Sequence, residues 1–217
     1  MREFIDPTAI VSAYGAHAKE HDLAGKNYWL QEDYTFVEEF VDSLPEGSEI
    51  LDVSAGAGNQ SAYFVGQGFH VTMTEGTSEM LTLAQEQVPS ANAIIAELPN
   101  LPLPDNTFEG VFCRHVLHHL SPPELEAAIS EFDRVSKLGA HICLVLSVSP
   151  DQNLQQGWYE ISKGNKIRQY FHPENKLQST FSNIGWTAIK YSVSTTRTNE
   201  SETSLMPICR TILQKAS

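Results

Sequence analysis

Two acids and a turn of small residues are the features of this 217-residue chain that could do chemistry together. Ile50-Leu51-Asp52-Val53 is an apolar run ending at an acid, and Ser54-Ala55-Gly56-Ala57-Gly58 follows. Small residues let a ligand approach the main chain, and glycine turns tightly at φ > 0. Glu75 closes the next apolar run, Val71-Thr72-Met73-Thr74, and Glu97 follows Ala93-Ile94-Ile95-Ala96. An acid ending a second strand can accept both hydroxyls of a ribose. Asp52 would repel a pyrophosphate, and Ser61 stands where a dinucleotide site needs its third glycine. No Gly-Lys-Ser/Thr follows either, so a P-loop is excluded. A nucleoside with a cationic tail suits both acids.

Downstream, Cys113-Arg114-His115-Val116-Leu117-His118-His119-Leu120 carries three imidazoles. Neighbouring side chains on a helix diverge by about 100°, so His118 and His119 are poorly placed to share a metal. They read as packing and capping residues. No metal-ligating spacing stands out. His115 directly follows a strand and is the candidate general base, since an imidazole near pKa 6.5 can take a proton at neutral pH.

These residues need a frame. Residues 7–21 read as a helix with Asp6 and Pro7 at its start, and 33–43 as another, ending at Pro45-Glu46-Gly47. Strands are expected at 48–53, 69–73, 93–96, 110–113 and 140–148. Helices are expected at 59–66, from 77 or 78 to about 87, and at 122–136 behind Ser121-Pro122-Pro123. The prolines of Leu98-Pro99-Asn100-Leu101-Pro102-Leu103-Pro104 force a loop. Strands alternating with helices predict a parallel sheet with its ligand at the carboxyl ends of the strands. Every unusual stretch falls at such an end. Residues 149–172 read as a long ordered lid with aromatics such as Trp158 and Tyr170. Residues 173–183 read as a helix, and Trp186–Ser194 and Leu205–Leu213 as two last strands. The whole is expected to be one domain. It comprises a cap (1–46), a cofactor-binding core (47–148), and a lid with substrate-side strands (149–217).

The formal net charge of −13 argues against a nucleic-acid partner, which would need a basic surface. Cys113, Cys143 and Cys209 are odd in number and form no CxxC, which suits reduced thiols in the cytoplasm. The first residues lack the long apolar core of a secretory signal, and no run suits a bilayer span. A small-molecule substrate, no membrane partner, and a monomer or homodimer are expected.

Four blocks in order resemble class I S-adenosylmethionine-dependent methyltransferases of the small-molecule type. Ile50–Gly58 is similar to the family's acid-x-Gly-x-Gly-x-Gly. Val71–Glu75 with Gly76-Thr77-Ser78-Glu79-Met80-Leu81 is similar to its ribose acid and following helix start. Glu97–Phe108 is similar to its "L-P-F-P-D-N-S-F" loop. Cys113–Leu120 is similar to its "VLHHL" segment, and Arg134–Gly139 stands for "RVLKPGG". The resemblance implies a Rossmann-like α/β fold, with a seven-stranded, mostly parallel sheet, flanking helices and an N-terminal helical cap. Its last strand would be antiparallel. It implies S-adenosyl-L-methionine as cofactor. Glu75 and Gly76 would stand at the ribose, Glu97 and Leu98 at the adenine, with Met80 beside them. Asp52, Ser54, Gly56, Gly58 and the main chain at Arg114 would lie by the methionine end, and Tyr14 would form a lid. Ser54 replaces the first glycine, Ala57 a common Thr, and Glu75, Glu97 and Glu109 the usual Asp. A positive φ at Ser54 would strain the turn. These departures frame the alternative, a catalytically weak or inactive binding module of the same fold.

Overall fold

The computed structural model describes residues 31–149, 151–162, 165–194 and 207–217. The expected helix at 7–21, with Tyr14, lies outside them. The elements are α1 (Gln31–Asp42), β1 (Glu49–Val53), α2 (Asn59–Gly66), β2 (His70–Glu75), α3 (Ser78–Gln87) and β3 (Asn92–Ile95). They continue with β4 (Phe108–Arg114), a 3-10 turn (Leu117–His119), α4 (Pro122–Val135) and β5 (Ser136–Ser149). A hairpin, β6 (Gln155–Ser162) and β7 (Asn165–Pro173), precedes α5 (Glu174–Ser182), β8 (Trp186–Ser194) and β9 (Ile208–Lys215).

Seven strands form the main sheet in the order β3-β2-β1-β4-β5-β9-β8. The first five are parallel. β9, last in sequence, runs antiparallel to both its neighbours. Side chains alternate across the sheet with period two. Leu51, Val53, Val111, Ile142 and Leu144 face the layer of α4, whose Leu125, Ala128, Ile129 and Phe132 repeat at helical spacing. Ile50, Phe112 and Cys143 face the opposite layer, with Phe36, Val37 and Phe40 of α1 and Phe64 of α2. Both faces are buried, as a parallel sheet requires.

Two expectations change. The 149–172 lid is largely the β6–β7 hairpin, joined to the sheet where Val148 and Ser149 pair with His172 and Pro173. Gly157 makes its packing feasible, since a Cβ there would come within 2.8 Å of the Phe171 ring. β5 also starts at Ser136 rather than at 140, because Ser136 already pairs with Phe108. Gly139 lies inside the strand at φ +76. No helix among the described residues is long and apolar enough to cross a membrane.

Candidate active site

The chain leaves β1 between β2 and β4 and turns at once. Ala55 N–H donates to Thr74 O (2.9 Å) and Ser54 N–H to Thr74 Oγ1 (3.3 Å), which ties the turn to β2. Gly56 and Gly58 take φ of +59 and +84. A Cβ on Gly58 would lie 3.1 Å from Ala84 Cα, so this glycine lets α3 pack closely. Ser54 takes φ +53, the strained outcome anticipated for a non-glycine residue. We therefore expect Ser54→Gly to raise stability by about 0.5–1 kcal/mol, read from urea denaturation. A loss of stability would show that the serine side chain more than offsets the strain.

Glu75 bridges two loops. Its Oε2 accepts Gly56 N–H (3.0 Å) and its Oε1 accepts Gly76 N–H (2.9 Å). The extra methylene over aspartate lets the carboxylate reach the glycine turn. Burial raises its pKa, and the backbone donors of Gly56, Gly76 and Thr77 oppose that rise. Thr77 caps α3 by accepting Met80 N–H at 3.1 Å. Met80 is buried under the turn, with its Cε 3.5 Å from where a Gly56 Cβ would stand.

Asp52 is buried below the turn at 2% exposure. Ser61, the residue at the absent third glycine of a dinucleotide motif, donates its hydroxyl to Asp52 Oδ2 at 2.6 Å. Burial pushes the carboxyl up to about 7, helped by the nearby Glu75 charge and opposed by Ser61 and Arg114. Glu97 is exposed at the end of the third strand segment and adds its charge to the field at Glu75. Leu98 packs on the core beside it. Asp52, Glu75 and Glu97 thus converge on the carboxyl edge of β1, β2 and β3.

The proline-rich loop is held from α4, a role the sequence did not reveal. Arg134 donates to Leu103 O (2.7 Å), Leu101 O (3.0 Å) and Asp105 (2.6 Å). Glu131 orients that guanidinium at 2.7 Å. Arg134→Ala should therefore cost about 2 kcal/mol and loosen 98–106, seen as faster amide exchange there. Unchanged exchange would contradict the assigned role.

His115 follows β4 with φ +57, its N–H donating to Val145 O at 2.7 Å. Its ring centroid is 6.1 Å from that of His118, and His118 is 4.5 Å from His119. Burial and the neighbouring imidazoles push the His118 pKa well down, so it is neutral at physiological pH. His172 of β7 contacts Leu120 O through Nε2 (2.9 Å), which fastens the hairpin to this segment. Arg114, at the end of β4, donates to Asp33 of α1 at 3.1 Å. Asp33 and Arg210 are further charged residues by the site. The only trace of Arg210 in the sequence is one cation inside the apolar run Ile208–Leu213.

A family model described as "Methyltransferase domain" matches residues 51–144. Malonyl-[acyl-carrier protein] O-methyltransferase of Yersinia pestis is 26% identical over 81% of this chain and 64% of its own length. The chain thus spans less than two thirds of that relative. Demethylmenaquinone methyltransferase of Chlamydia trachomatis serovar L2 is 30% identical over 69% of this chain and 66% of its own. Among solved structures, 1,6-didemethyltoxoflavin-N1-methyltransferase of Burkholderia thailandensis aligns with TM-score 0.70 at 16% identity. That alignment covers 100% of this chain and 93% of the other. Strand order and glycine turn define a Rossmann-like nucleoside-binding class. Within it, the chain belongs to the class I S-adenosylmethionine-dependent methyltransferases.

Proposed function

We propose that this protein transfers a methyl group from S-adenosylmethionine to a small-molecule acceptor. The observation that carries the reading is Glu75, held by two backbone amides at the mouth of the glycine turn. An ionised carboxylate has about four acceptor sites, so two remain for the hydroxyls of a ribose. The rest of the site fits the same molecule. Glu97 stands next along the edge, where an exocyclic amine can donate to it. Gly56 leaves the main chain bare for a close approach. Asp52 sets negative charge below the turn, and Ser54–Gln60 contains no basic side chain to hold a phosphate. Bound S-adenosylmethionine supplies a sulfonium methyl that an acceptor O, N, S or C displaces in line.

The chain's own residues bind, orient and exclude water, and alignment of two reactants is worth several kcal/mol. The Arg114 main chain lies at the methionine end. His115 is the candidate base for an acceptor that arrives protonated. The hairpin and the His115–His119 segment form the acceptor side. The relatives' names point to small or carrier-borne acceptors, which supports this class of substrate. Three free, buried cysteines and the acidic charge support a cytoplasmic protein without a nucleic-acid partner. The test is a turnover assay with methyl-labelled S-adenosylmethionine and a panel of small carboxylates, phenols and amines. Label should enter one acceptor class with matching release of S-adenosylhomocysteine. Binding of the cofactor without turnover on any acceptor would favour a binding module.

A further inference from the structure

A buried charge cluster lies on one face of the sheet behind the glycine turn. Arg114, Val145 and Arg210 are register partners across β4, β5 and β9. Side chains of register partners share a face, so both guanidiniums point to the same side. That side is covered by α1. Asp33, in the first turn of α1, accepts Arg210 Nε–H on Oδ1 at 2.5 Å and Arg114 Nη2–H on Oδ2 at 3.1 Å. Arg210 also donates to Ser194 Oγ at 2.8 Å. Arg210 and Asp33 are 0% and 1% exposed, and Arg114 is 13% exposed. Asp52 pairs in register with Phe112, two residues before Arg114. By alternation Asp52 therefore lies on the same face, one diagonal step from Arg114.

We propose that Asp33 is a positioning residue for the cofactor site: it holds the Arg114 guanidinium beside Asp52 and so sets how readily that carboxylate carries charge when a cationic ligand arrives. This rests on the reading of the site given above. The groups acting on Asp52 are Ser61 from α2, Glu75 from the end of β2, and Cys113 and Arg114 from β4. Arg114 is the cation among them. Asp33 has two oxygens and serves two guanidiniums. Asparagine offers one oxygen and an NH2. Arg210, fully enclosed on β9, keeps the oxygen. The NH2 then faces Arg114 donor to donor and displaces it.

The test is the titration of the Asp52 carboxyl, followed by carbon NMR in the ligand-free protein. Arg114→Met and Asp33→Asn should each raise the midpoint by about half a pH unit. The double variant should match either single variant, because both remove the same contact. Asp33→Glu should restore the wild-type midpoint. A midpoint unmoved in Arg114→Met, or moved there but not in Asp33→Asn, overturns the proposal. So does an additive double variant. Should Asp33→Asn not fold, Arg114→Met together with Asp33→Glu carries the test. No cofactor is used, so failure here leaves the methyltransferase reading intact. Titrating wild-type protein with S-adenosylhomocysteine tests that reading separately.

Discussion

Glu75→Ala is expected to lower affinity for S-adenosylmethionine at least a hundredfold. The carboxylate is braced at the glycine turn by Gly56 and Gly76 and keeps acceptor sites for two hydroxyls. A hydrogen bond to a charged partner is worth about 1.5–3 kcal/mol, and two such bonds account for a loss of that order. The substitution also removes the acceptors of Gly56 and Gly76 N–H, so stability should fall by about 1–3 kcal/mol. The two effects separate in Glu75→Gln, which keeps the size and one oxygen. It should regain most of the stability and still bind about tenfold more weakly. Calorimetric titration and thermal denaturation on the same samples read both quantities. Lost stability with affinity preserved would reduce Glu75 to a brace between loops.

Asp52→Asn should make the protein more stable at pH 8 while weakening cofactor binding about tenfold. The Asp52 carboxyl ionises near 3.8 when unfolded and is pushed up to about 7 in the fold, chiefly by burial. Between those values the unfolded chain has released a proton that the folded chain retains. Stability from this group therefore falls as pH rises from about 4 to 7, and stays low above 7. At about 1.4 kcal/mol per unit the full penalty is roughly 4 kcal/mol. Asparagine carries no such penalty and still accepts the Ser61 hydroxyl. Its advantage in urea should be present at pH 8 and gone near pH 4. The lost affinity follows because a cationic ligand no longer meets a negative charge below the turn, and tenfold is about 1.4 kcal/mol. Equal stability of the two proteins at pH 8 would show that Asp52 is not penalised by burial.

The parallel sheet was legible because its strands are short apolar runs separated by helical periodicity and turn residues. Trp186–Ser194 and the helix at 59–66 are found where the pattern puts them. The loop ends were legible for a related reason, since chemistry-bearing residues stand out where apolar runs stop. The β6–β7 hairpin was hidden because Gln155-Gln156-Gly157 and the polar run Ser162-Lys163-Gly164-Asn165-Lys166 break alternation. Only the ring of Phe171 over Gly157 explains that glycine. Arg134 could be placed on its helix, but nothing in a linear pattern says that it reaches back to carbonyls at 101 and 103. The Asp33–Arg210 pair joins residues 177 apart in sequence and needs the folded sheet to exist. The pairing of Asp52 with Ser61 is similar at shorter range. In the sequence Ser61 is only a missing glycine, and the fold shows what its hydroxyl does instead.

The central claim is that the carboxyl edge of β1, β2 and β3 binds a cationic nucleoside through Glu75. Isothermal titration of the purified protein with S-adenosylmethionine tests it most directly. One molecule per chain with micromolar affinity, lost in Glu75→Ala, is the expected result. No heat and no thermal shift at millimolar S-adenosylmethionine would contradict it.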